Sequence, residues 1–169
     1  MSEMDLVRSA ATSRPVNIEA IIRNLGLSVR KDADLPAEIS GQIQKLSDGT
    51  YEISSSAGEH YFRQRFSLAH ELGHYILHRS LIGAGLDDNK KYRSTGEGNF
   101  YNTSIELAHE RQANSFAASL LMPEKLLRED VENGDAEISA LYRKYQVSQS
   151  AMNWRLRNLG LVHQVAGAN

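Results

Sequence analysis

The segment Ser67-Leu68-Ala69-His70-Glu71-Leu72-Gly73-His74 sets two imidazoles and a carboxylate at fixed offsets. On an α-helix, residues four apart share a face about one turn from each other, so His70 and His74 can reach a single ion. Glu71, next to the first ligand, projects close to that ion without binding it. From there it can act as a general base, taking a proton from a water activated by the metal and passing it to a leaving amine. The chemistry this spacing implies is zinc-assisted peptide-bond hydrolysis. Two histidines on the core side of a helix would otherwise be costly to bury without partners.

A catalytic zinc takes three protein ligands and keeps one position open. Candidates outside the motif are Glu106, His109 and Glu110 downstream, and His78 one turn along the first helix. His78 shares a face with His74 but lies too far along the axis from His70 for easy joint ligation, which leaves it a structural or supporting role. Glu110 shares a face with Ala113, Asn114 and Ala117, whose small side chains would let the two helices approach closely. Glu106 sits on almost the same face one turn earlier, and spacing alone does not separate the two carboxylates. Arg65, Tyr75, His78 and Tyr101 are available as oxyanion donors. A His-His-Glu set accepts several divalent ions, so Mn²⁺ is an alternative to Zn²⁺.

These residues need helices to hold them, and the sequence patterning supplies some. Phe62, Phe66, Ala69, Leu72, Gly73, Ile76 and Leu77 form an apolar stripe that predicts a helix over 61–79, with the motif in its interior. A second helix is expected over 103–122, stopping at Pro123. Between them, 82–104 reads as a long polar, glycine-containing loop, of the kind that often shapes access to a site. Upstream, Val16, Ile18, Ile21, Ile22 and Leu25 predict a helix ended by Gly26. The alternating runs 40–46 and 50–55, joined by Asp48-Gly49, predict a β-hairpin. An exposed edge of that hairpin would offer a strand for a substrate segment to pair with; the equal alternative is that both strands simply cover the core. The expected fold is therefore α+β, with a small antiparallel sheet packed on the motif helix.

The rest of the chain bounds the class. It has 169 residues, 41% hydrophobic and 24% charged, as an ordinary globular core requires. Nineteen Lys and Arg against 21 Asp and Glu give a net charge of −2, which provides no global drive toward nucleic acid or acidic membranes. The absence of cysteine excludes disulfide scaffolds, Cys-based zinc knuckles and thiol nucleophiles. Met1–Pro15 has no hydrophobic run like that of a signal peptide, and no stretch approaches the ~20 apolar residues of a membrane span. The expectation is a soluble, cytoplasmic protein.

Beyond Pro123 the character changes. An acidic, polar stretch over 126–137 precedes two short helical patterns, 138–145 and 148–158, around Gln146-Val147-Ser148. They have the cadence of a helix-turn-helix. The division expected is 1–125 as a peptidase domain and 126–169 as a small helical region. Arg143, Lys144, Arg155 and Arg157 are available to meet phosphates, but four cations make a thin footprint on an acidic chain, so DNA binding is not the favoured role. Packing on the peptidase, or docking its substrate, is.

Two blocks then carry a specific resemblance. Arg63 to His78, containing His-Glu-Leu-Gly-His, and Glu110-Arg111-Gln112-Ala113-Asn114-Ser115-Phe116-Ala117 with Leu120-Leu121-Met122-Pro123 look like the ImmA/IrrE family of metallo-endopeptidases. The likeness extends over about 16–123. It implies a zincin-like fold and makes Glu110 the third ligand beside His70 and His74, with Glu71 catalytic. It also implies a partner class, an Xre-type helix-turn-helix repressor or antitoxin, cleaved so as to relieve repression of phage, mobile-element or stress-response genes. Some relatives are paired with such regulators in toxin–antitoxin-like modules. The competing expectations are a non-hydrolytic partner-binding or toxin component, and a DNA-binding regulator acting through its C-terminal helices.

Overall fold

The computed structural model describes residues 1–82, the backbone of 92–95, and residues 107–169. The order of elements is α1 (Glu3–Ala10), α2 (Ile18–Asn24), β1 (Ser28–Ala33), β2 (Ile39–Lys45), β3 (Tyr51–Ser56), α3 (Tyr61–His78), β4 (Tyr92–Thr95), α4 (Leu107–Leu121), α5 (Glu124–Glu132), α6 (Ile138–Tyr145) and α7 (Gln149–Asn158). This is an α+β fold, as the patterning predicts. Among the described residues, no helix is long and apolar enough to cross a membrane.

The Asp48-Gly49 hairpin forms as expected, and its register places Ile43 opposite Ile53 and Lys45 opposite Tyr51. Gly49 takes φ +88°, a conformation that costs glycine nothing. The sheet order is β1-β3-β2-β4. It is mixed rather than wholly antiparallel, because β1 runs parallel to β3. The sequence gives little warning of β1: Ser-Val-Arg-Lys-Asp-Ala is polar and mostly exposed. β4 falls inside the segment expected to be loop, and pairs antiparallel with β2. Both hairpin strands are thus flanked, β3 by β1 and β2 by β4. Among the described residues neither hairpin strand is an open edge for substrate pairing, and the edges of the described sheet are β1 and β4.

Helix α3 lies across the sheet with Leu68, Ala69 and Leu72 fully buried against a core that includes Ile43 and Ile53. Gly41 of β2 allows this approach, since a Cβ there would lie 3.1 Å from Ser67 Cβ and 3.4 Å from Glu71 Cγ. Two helices escape the periodicity reading. α1 is announced only by its cap, Ser2 and Asp5 bonding each other's backbone N–H in a capping box. α5 is hidden in acidic sequence but turns Leu127 and Val131 into the core. The helix expected over 103–122 is seen from Leu107 to Leu121; 103–106 lie outside the described residues.

The C-terminal helices join the same core through Leu141, Tyr145, Met152 and Leu156. Gln146 caps α6 in the left-handed region (φ 53°), and Ser148 caps α7 by accepting from Ala151 N–H. Three guanidiniums tie these elements to the rest. Arg65 Nε donates to Gln146 O at 3.3 Å, Arg155 Nε to Met122 O at 3.0 Å, and Arg128 Nη2 to Leu159 O at 3.1 Å.

Candidate metal centre

His70 and His74 project from the buried face of α3, and Glu110 meets them from the first turn of α4. All three are 5% exposed or less. His70 Nε2 and His74 Nε2 are 3.1 Å apart. Glu110 Oε1 lies 2.8 Å from His74 Nε2, and Glu110 Oε2 lies 3.1 Å from His70 Nε2. Ligand atoms at about 2 Å from a tetrahedral zinc sit roughly 3.3 Å from one another, so this cluster has the dimensions of a metal site.

The outer nitrogens explain why the inner ones face inward. His70 Nδ1 is 2.8 Å from Asn114 Oδ1, an acceptor, so Nδ1 carries the proton and Nε2 the lone pair. Behind His74 runs a longer chain. His78 Nε2 donates to Gln112 Oε1 at 2.7 Å, which leaves His78 Nδ1 to accept from His74 Nδ1–H at 3.0 Å. His74 Nε2 is then also a lone-pair donor. Two imidazole lone pairs and a carboxylate directed at one point repel each other, and a divalent cation is the natural group to relieve that repulsion. The donor set fits a metal.

A proton on His70 Nε2, shared with Glu110, is the alternative to a cation for relieving the same repulsion. Burial opposes charge on His70, but the hydrogen bond to Glu110 and the nearby Glu71 carboxylate outweigh it and lift its pKa above the ordinary value. For His74 burial wins over Glu110, aided by His70 and His78, and its pKa falls to about 4. His78 is also lowered, chiefly by burial.

Glu71 is fully buried beside the ligands and against Gly41 of the sheet. It does not belong to the cluster of three ligand atoms. The remaining candidates scatter. Arg65 is buried and spends its guanidinium on Val16 O and Gln146 O, away from the ligands. The Tyr75 hydroxyl points to Glu3, and its ring lies under Arg79 at 3.8 Å. His78 stands behind His74. His109 packs its ring 4.8 Å from that of His78, outside the ligand cluster. Glu106 and Tyr101 lie outside the described residues.

Two supporting residues, Asn114 and Gln112, were not read from the sequence as partners of histidines. Their signal is present in Glu110-Arg111-Gln112-Ala113-Asn114, where each follows the ligand by two or four positions. In the tail, two of the four cations are engaged internally: Lys144 bonds Asp130 and Asp135, and Arg155 bonds Met122 O.

A cleft of about 440 Å³ opens onto the cluster, lined by His70, Glu110 and Asn114 and continuing along Phe62, Phe66 and the α7 residues Ala151 and Trp154. At the β2–β4 pairing the register shifts between Ile39 and Gly41, and the extra residue, Ser40, lines this cleft.

Among curated proteins no match is found. Among solved structures, a Mycobacterium tuberculosis transcriptional regulator superposes with a TM-score of 0.60 at 19% identity. The match covers 91% of this chain and 46% of that one, so the present chain spans about half its length. At that identity the likeness is one of fold. The model of the IrrE N-terminal-like domain matches residues 37–157, a span that contains both histidines, Glu71, Glu110 and the helices that bring them together. By that match the chain belongs to the Peptidase_M78 family.

Proposed function

We propose that this protein is a zinc-dependent endopeptidase that cleaves a helix-turn-helix repressor or antitoxin, and so relieves repression. The observation that carries the reading is the convergence of His70 Nε2, His74 Nε2 and the Glu110 carboxylate beside the buried Glu71. When bound there, a zinc ion supplies Lewis-acid polarisation of a carbonyl and acidification of a water molecule. Asn114 and the His78–Gln112 pair hold the two imidazoles in the tautomer that ligation needs. Glu71 accepts the proton of the attacking water on its carboxylate and delivers it to the amine nitrogen as the C–N bond breaks. The products are one new carboxylate and one new amine. The choice of a repressor as substrate rests on the family resemblance.

The test pairs the zinc-loaded full chain with the helix-turn-helix protein encoded beside its gene, with and without chelator, and reads the products by mass spectrometry. Two defined fragments, lost on chelation and restored by zinc, are expected. A stable complex with an intact partner would instead favour a sequestering or toxin role. Mn²⁺ is tried in the same assay, since the donor set accepts it.

A further inference from the structure

We infer that Trp154 of α7, with Phe62 and Phe66 of α3, forms a subsite beside the metal centre that takes a bulky apolar side chain of the substrate. The inference rests on the endopeptidase reading and adds to it the class of residue next to the cleaved bond. His70 and Glu110 line the same cleft as these three rings, so a side chain seated among them belongs to a chain passing the ligands.

Phe66 packs against the core from its partly buried side, whereas Phe62 and Trp154 are not part of the core cluster. Phe62 and Phe66 are only half-buried, and Trp154 is 41% exposed although it is among the largest apolar side chains in the protein. The neighbours of Trp154 on α7 behave differently: Met152, Asn153 and Leu156 are buried and hold the helix down. Arg65 and Arg155 fix α7 by bonds to Gln146 O and Met122 O, so the far wall stands on a rigid support. At about 440 Å³ the cleft lies within the roughly 300–1,000 Å³ of ligand sites that combine an apolar lining with a few polar groups. Here the polar groups are the ligands His70 and Glu110, with Asn114, Arg63 and the hydroxyls of Ser40, Ser67, Ser148 and Ser150. An aromatic or large aliphatic side chain complements the three rings, and a small one leaves them wet.

Trp154 is the single tryptophan of the chain, which supplies a direct probe. N-acetylphenylalanine hydroxamate and 2-benzylsuccinyl hydroxamate carry a benzyl group on either side of a metal-binding group; their methyl counterparts are controls. Calorimetry and Trp fluorescence on the zinc-loaded full chain compare the two pairs. We expect one benzyl compound to bind at least roughly 10-fold tighter than its control and to shift Trp154 emission. That advantage shrinks in W154A and, independently, in F62A. Equal binding of benzyl and methyl compounds on both sides overturns the subsite while leaving the peptidase reading intact. Failure of every hydroxamate to bind overturns both. Hydrolysis is not required, so loss of cleavage activity alone does not bear on the result.

Discussion

Gly73 of α3 faces Ala113 of α4 so closely that a Cβ on Gly73 would lie 3.2 Å from both Ala113 Cα and Ala113 O, and 3.0 Å from Phe116 Cδ1. Gly73 directly precedes His74, and Ala113 lies one turn after Glu110. The contact therefore sets the distance at which the carboxylate meets the imidazoles.

Gly73→Ala should test that dependence. Alanine in a helix interior is worth about 1 kcal/mol over glycine, but overpacking against backbone costs about 1–3 kcal/mol. Because two of the three clashing atoms belong to the α4 backbone, we expect a net loss of stability and weaker zinc binding together. A variant with unchanged melting temperature and zinc affinity would show that the two helices have slack.

Glu71→Gln keeps the size of the side chain and removes its ability to hold a proton. Hydrolysis should fall by about 10²–10⁴-fold while zinc stoichiometry stays as in the parent. Cleavage at the parent rate would reassign the general base.

His78→Ala and Gln112→Ala each cut the chain of hydrogen bonds that leads to His74 Nδ1. Loss of such outer partners typically weakens metal binding about 10–100-fold. Competition with a chromophoric chelator gives the affinity, and long-range ¹⁵N–¹H spectra give the His74 tautomer. Parent-like values of both in either variant would make the chain a packing contact only.

Asp130 bonds Arg14 Nε (2.8 Å), Lys144 Nζ (2.8 Å) and Tyr145 Oη (2.6 Å), joining the N-terminal segment to α5 and α6. Burial alone would raise its pKa, but the Lys144, Tyr145 and Arg14 donors bring it below the ordinary 3.8. A carboxylate depressed in the folded state binds protons more readily in the unfolded chain. Its contribution is complete above about pH 5 and is lost as pH falls below about 4. Asp130→Asn should cost about 3 kcal/mol at neutral pH and flatten the acid limb of stability in urea titrations. An acid limb as steep as the parent's would place the titrating groups elsewhere.

Short-range chemistry was legible in the sequence because it is decided within a few residues. The four-residue spacing of His70 and His74 puts them on one face of any helix, and Asp48-Gly49 makes a tight turn wherever it occurs. The apolar stripe of α3 identifies its buried side. Elements whose stability comes from elsewhere were silent or misleading: polar β1, acidic α5, and β4 inside an apparent loop all exist because a neighbouring element pairs with or covers them. Glu110 could be chosen over Glu106 only through resemblance; in the fold it is the contact at Gly73 that brings it within 3.1 Å of both imidazoles. Asn114, Gln112 and Trp154 gained their places in the same way, by packing between residues some 30 to 90 positions apart in the chain. Local spacing determined which groups could bind a metal, and tertiary packing decided which of them meet, because convergence depends on interhelical distances that no local pattern encodes.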